Sequence, residues 1–185
     1  MFGGRNKEMF ETKQVIAAVL LIAVALSTVG YADATFGTSV TTVNVSISAN
    51  LSNPPTIPKR TTWATSITNG LTLSGLGNLQ ENDELRIRVE LVVDRTLAES
   101  VRNIIVVIDN NDVGSNKGQG DNSYTTADTI LTLNKPWSEF NYTVQNGDSE
   151  KSWNVYVIIM AGDKTVSSGT FTIIGSVIAF TPSSS

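Results

Sequence analysis

The residues best suited to chemistry lie in and beside the stretch NNDVGSNKGQGDNS, residues 110 to 123, where Asp109, Asp112 and Asp121 gather with Asn110, Asn111 and Asn116. Oxygen donors of this kind suit calcium, but an EF-hand loop needs an acid at its twelfth position, where Gly120 stands. The stretch therefore reads as a solvated, turn-rich surface loop with no metal. Glu81, Asp83 and Glu84 form a second acidic group at a strand entrance and read as a hydrated turn. Paired carboxylates can hydrolyse glycosides at suitable separations, yet the spacing sets no two of them opposite each other.

The chain has no histidine and no cysteine. That removes disulfides, thiol catalysis, the usual zinc sites and every histidine-based triad. With no nucleophile beside a base, the expectation is a protein that is not an enzyme and takes no cofactor. Trp63, Trp137 and Trp153 read as core rather than as sugar platforms, Trp153 because it alternates in phase with Val155 and Val157. Three N-x-S/T sequons, at Asn44, Asn50 and Asn141, are candidate N-glycosylation sites in a host with a suitable secretory route.

Lysine and arginine total 13 against 17 acidic residues, a net charge of −4 that offers nothing to nucleic acid. Arg5, Lys7 and Lys13 precede the apolar run Val15 to Gly30, and Ala32 and Ala34 follow in A-x-A spacing. The run is about 15 residues long, within the range of a signal-peptide core and short of a bilayer span. Residues 1–34 are thus expected to be a signal peptide or leader helix cut before Thr35, touching the membrane only before cleavage and sending the product to the cell exterior or surface. Two rivals keep the apolar segment: a type IV pilin, cut just before it, whose N-terminal helix packs at a filament centre with Glu11 a few residues ahead of the apolar run, and an uncleaved anchor carrying a monomeric binding module.

Beyond the leader nearly every apolar segment has the period of two that places alternate side chains on one sheet face. Residues 35–53 form the first strand: Val43, Val45, Ile47, Ala49 and Leu51 alternate with Asn44, Ser46, Ser48 and Asn50, so Asn44 and Asn50 fall on the hydrophilic face. Residues 54–62, with Pro54, Pro55 and Pro58, make an extended linker. A β-sandwich is expected over 63–181, followed by a solvated tail, 182–185. Within it Trp63–Thr68 and Leu71–Leu76 flank Asn69-Gly70 as a hairpin. Ile87, Val89, Leu91 and Val93 face away from Arg86, Arg88 and Glu90. RTLAESVR, 95 to 102, is a helical turn, and Asn103–Asp109 is a strand covered on both sides. Further strands are expected at Tyr124–Leu133, Phe140–Gln145, Ser152–Met160 and Thr165–Ile174, the last running on toward Phe180. The fold class is all-β, a single antiparallel jelly-roll-like sandwich behind an apolar leader helix.

A cut after Ala34 would make the first strand a free N-terminus, able to complete its own sheet or another copy's. Strand addition satisfies edge backbone groups and fills alternate pockets. Five apolar side chains contribute on the order of 10 kcal/mol gross, and ordering the strand costs a comparable amount. The balance therefore rests on the length of the ladder. The proline linker favours a strand carried away from its own body.

The junction YADATF, 31 to 36, the hydroxyl-rich strand after it, and the strand entry Asn78-Leu79-Gln80-Glu81-Asn82-Asp83-Glu84-Leu85 together resemble the TasA/camelysin-like biofilm-fibre proteins and archaeal bundling-pilus subunits. Glu81-Asn82 stands where that family commonly carries Pro-Gly. The resemblance implies a jelly-roll subunit that polymerises into extracellular filaments by donor-strand complementation, with Phe36, Val40, Val43, Val45, Ile47, Ala49 and Leu51 as the donated face, copies of itself as partners, and lateral bundling of filaments. Some members carry a metallopeptidase label; with no histidine and no HExxH this chain lacks the ligands for that chemistry.

Overall fold

A computed structural model describes residues 30–32, 43–49, 54–111 and 118–183. Of the expected leader only Gly30–Ala32 are among them, as a strand, and of the expected first strand residues 35–42 and 50–53 lie outside. Among the described residues nine strands run in chain order: β1 Gly30–Ala32, β2 Val43–Ala49, β3 Thr62–Ser74, β4 Glu84–Val93, β5 Val101–Ile108, β6 Thr129–Thr132, β7 Trp137–Thr143, β8 Glu150–Ala161 and β9 Phe171–Thr181. A short α-helix, α1 Arg95–Ala98, joins β4 to β5. Every strand pairing is antiparallel, in a six-stranded sheet ordered β1-β2-β3-β8-β5-β6 and a three-stranded sheet ordered β7-β4-β9.

Both sheets feed one core. β4 buries Leu85, Ile87, Val89 and Leu91, and β8 buries Trp153, Val155, Val157 and Ile159, each at alternate positions. Trp153 lies at the middle, meeting Phe140 and Tyr142 of β7 edge-on at centroid separations of 5.3 and 5.5 Å. Its indole Nε1–H donates to the Gly118 carbonyl at 2.6 Å. A buried indole needs such a partner, and here the loop after β5 supplies it.

Asn69-Gly70 is not a hairpin turn. Thr62–Ile67 pair with one half of β8 and Leu71–Ser74 with the other, so β3 is one long strand with a bulge between Ile67 and Leu71. Asn69 takes the left-handed conformation, φ 52°, and its N–H donates to the Asn154 side-chain oxygen at 3.2 Å. Gly70 is required by proximity, since a Cβ there would stand 2.9 Å from the Val155 Cβ. The Asn-Gly signal marked the right backbone conformation; the shared partner strand decided how it is used.

Other boundaries move for local reasons. Asp94 caps α1, its carboxylate accepting the Leu97 N–H at 2.8 Å, and the helix ends at Ala98 instead of reaching Arg102 because β5 claims the chain from Val101. Of the strand expected from Tyr124, only Thr129–Thr132 forms; Tyr124 instead stacks on Tyr156 at 5.0 Å. β9 begins at Phe171, since the preceding segment is held elsewhere by a bridge from Val166 to Ile57. The expected solvated tail is tied in at Ser183, whose N–H donates to Asp83 at 2.7 Å.

Candidate functional site: the groove that holds β2

β2 lies between β3, with which it forms a ladder, and β9 of the other sheet, against which it packs. The ladder is short: Ser46 faces Ser74, Ile47 Leu73, Ser48 Thr72 and Ala49 Leu71. Val45 is buried, Ile47 and Ala49 are half-buried against the core, and Ser46 and Ser48 are exposed, so the alternation read from the sequence holds for these residues. Val43 and Asn44 belong to the strand by backbone position. Ala34, Thr35, Phe36, Val40, Asn50 and Leu51 lie outside the described residues.

The walls of the groove are Leu71 and Leu73 of β3, both fully buried, and Ile173 and Val177 of β9. Between Ile173 and Val177 stands Gly175, whose missing side chain makes the space that Ile47 fills. A Cβ at 175 would lie 2.9 Å from the Ile47 Cβ and closer still to its Cγ2. Sequence reasoning did not single out Gly175. The signal was present, because an isolated glycine inside the apolar run FTIIGSVIAF marks a close approach. No charged residue occurs in Val43–Ala49, Thr62–Ser74 or Phe171–Thr181, so the groove recognises by shape and backbone hydrogen bonding.

On the outer side of β2, β1 pairs Gly30 with Val45, Tyr31 with Asn44 and Ala32 with Val43. The expected cut after Ala34 falls in the connection between β1 and β2, and would detach β1 from the edge it covers. The proline linker is extended but docked. Ile57 is buried and exchanges both backbone hydrogen bonds with Val166, at 2.8 and 2.9 Å, and the Arg60 N–H donates to the Gly162 carbonyl at 2.9 Å.

Among the described residues no group of three or more acidic, histidine or cysteine side chains could hold a metal ion; Asp112 and Asn116 of the acidic loop lie outside them. The described part of the loop is not simply a solvated turn. Asp109, Asn110 and Asp128 are buried. Asp109 accepts the Asp121 N–H at 3.0 Å, Asp128 accepts the N–H groups of Asn110, Asn111 and Thr125 at 3.2, 2.9 and 2.6 Å, and the Asn110 side-chain oxygen accepts the Thr129 N–H at 2.7 Å. Burial, together with the charges of Asp128 and Asp121, raises the Asp109 pKa above its ordinary value, even though the Asp121 N–H pulls the other way. These carboxylates staple backbone. Asp83 does likewise, accepting the N–H of Gln80 at 2.8 Å as well as that of Ser183, so it is buried where a hydrated turn was expected.

Trp153 is core, as read; Trp63 is half-buried against it; Trp137 is 47% exposed and corrects the expectation that all three are core. β7 starts at Trp137 with its outer face to solvent, and the Arg88 guanidinium lies 4.2 Å from the ring centroid. Trp137, Glu139 and Asn141 share that face by alternation, beside the Arg86–Glu139 ion pair at 2.7 Å. Asn141 is exposed there, where a glycan would project from the sheet. No protein-family model matches the chain, and no curated protein matches it.

Proposed function

We propose that the protein is a secreted, non-enzymatic structural subunit whose jelly-roll-like body polymerises into extracellular filaments, with the N-terminal strand of one copy completing the groove of the next. The observation that carries this reading is the seat of β2: a strand near the start of the expected mature chain fills a slot, with Ile47 over Gly175 and a ladder to Leu71–Ser74. Such a slot accepts the strand by backbone pairing and alternate side-chain pockets, whichever copy supplies it. A strand that closes a core from the chain terminus can exchange between copies without rearranging the body.

The competing reading, a monomeric surface module, draws on the pairing of β2 with its own β3. The two separate in one experiment. The mature chain from Thr35 and a chain lacking residues 35–51 are compared by negative-stain microscopy, and a synthetic peptide of residues 35–51 is added to the truncated chain. Donor-strand assembly predicts filaments from the first alone, and one-to-one peptide binding that raises the melting temperature of the second. Filaments of undiminished length from the truncated chain would refute it. A mature N-terminus between Met9 and Gln14, read by mass spectrometry, would point to a filament built on leader helices instead.

A further inference from the structure

We infer that copies of this chain meet end to end, the basic end of one sandwich seated on the acidic end of the next. The inference goes beyond the donor-strand reading, because it holds whichever copy supplies β2. In an antiparallel fold successive connections alternate between the two ends of the sheets. The linker before β3 meets the β4–β5 and β8–β9 connections at one end, where the Gly162 N–H donates to the Ser100 carbonyl and the Arg60 N–H to the Gly162 carbonyl, both at 2.9 Å. The β3–β4, β5–β6 and β7–β8 connections meet at the other. There the Leu76 N–H donates to the Ser149 carbonyl at 3.2 Å, the Asn82 N–H to the Val144 carbonyl at 2.9 Å, and the Gln119 side chain to the Thr143 carbonyl at 3.0 Å. β3 runs from the first end to the second in 13 residues, about 40 Å.

Charge is divided between these ends. The first exposes Lys59, Arg60, Arg95, Arg102 and Lys164. The acids of its connections are already engaged: Asp163 pairs with Arg60 at 2.8 Å, Glu99 with Arg95 at 2.6 Å, and Asp94 accepts the Leu97 and Thr170 N–H groups. Lys59, Arg102 and Lys164 are left with no ion pair among the described residues. The second end exposes Glu81 and Glu150, half-exposes Asp121, and carries Asp83, Asp109 and Asp128 buried. Lys151 is the one cation there among the described residues, and it is half-buried, facing Asp148 and Asp109. The rest of the expected mature chain leaves this division intact, since residues 35–53 are uncharged and Asp112 and Lys117 cancel. Like ends repel and unlike ends attract, so the favoured contact is heterologous and repeats from copy to copy when its rotation does not close a ring. Charges placed in this way set the orientation and rate of encounter above all. A donated β2 fits the same arrangement. Ala49 faces Leu71, three residues from the acidic end of β3, and the eight residues on to the docked Ile57 reach about 26 Å, so the strand leaves the groove beside the place where the basic end sits.

Carbodiimide coupling adds no spacer, so it joins an amine only to a carboxylate that it touches. Applied to the mature chain from Thr35 at about 0.05 M salt, it is expected to yield amides from Lys59 or Lys164 to Glu81, Asp121 or Glu150, identified by mass spectrometry of the linked peptides. Ends about 40 Å apart in one copy can be joined in this way only between copies. Reversing the basic end, Lys59→Glu with Lys164→Glu, is expected to slow assembly by about 10-fold or more in light scattering, and so is reversing the acidic end, Glu81→Lys with Glu150→Lys. Mixed in equal amounts, the two variants are expected to regain the parental rate, which a folding defect would not permit. Parental assembly without these amides, variants as fast as the parent, or a mixture as slow as its components would each overturn the inference, and filaments formed in any of those cases leave donor-strand assembly standing. A mature chain that stays monomeric would overturn both.

Discussion

Ile47 of β2 occupies the space left by the missing side chain of Gly175 on β9, so the N-terminal strand meets the far sheet through a side chain set over a glycine. A ladder alone would hold β2 to β3 in any register of the same parity. The knob over Gly175 selects one, because only a residue of the right bulk at the right position meets the gap.

Gly175→Val should therefore cost about 1–3 kcal/mol through overpacking. Ile47→Ala should restore part of that loss when combined with it, although alone it is destabilising. Urea unfolding of the two single variants and the double variant closes the cycle. Additive effects would mean that the two side chains do not share the space.

Asp94 joins α1 to the segment before β9, its carboxylate accepting from the Leu97 N–H and from both the N–H and the hydroxyl of Thr170. Burial alone would raise its pKa, but the donors outweigh it and hold the carboxyl below its ordinary 3.8. The stabilisation is present above pH 3.8 and fades as pH falls through it toward the lower native value. Asp94→Ala should cost about 1 kcal/mol at neutral pH, and Asp94→Asn less, because asparagine still caps. At the acid end Asp94→Asn should match the parent while Asp94→Ala keeps a smaller deficit, as thermal melts across pH would show.

Asp109 has the opposite sign. Its native pKa is raised by burial and by neighbouring acids, so ionising it weakens the fold as pH rises through 3.8 to the native value. Asp109→Asn keeps an oxygen for the Asp121 N–H. The variant should melt higher than the parent at pH 7, with the gain disappearing at about pH 3. A gain that persists in acid would assign the effect to packing rather than charge.

The tryptophans should separate sharply. Trp153→Ala removes the buried centre of the core and should cost about 3–5 kcal/mol, near the whole stability of a small domain. Trp137→Ala loses an exposed ring and its Arg88 contact and should cost no more than about 1 kcal/mol. Denaturant midpoints measure both.

Because both walls of the groove and β2 itself are uncharged, binding of the 35–51 peptide to the truncated chain should change little between about 0.05 and 0.5 M salt, where surface ion pairs are strongly screened. Titration calorimetry at the two salt concentrations would read this directly.

The amino-acid sequence by itself determined the β character of the chain, because a period of two can bury only one face of an extended strand. It determined the inward sets of β4 and β8, the burial of Trp153, and the neutral amphipathic strand that enters the groove. It also excluded thiol, histidine and zinc chemistry by omission. The tertiary structure decided what pairs with what. Asn69-Gly70 became a bulge because β8 runs past both flanking segments, and Asp109, Asp128 and Asp83 became buried staples because distant backbone donors arrive there. Trp137 stayed outside because the strand it opens shows that face to solvent, and Gly175 became the floor of a slot because Ile47 lies over it. Periodicity along a chain sets which face of a strand is apolar, but a partner strand is chosen by contacts between residues far apart in sequence, and those exist only once the sheets have met.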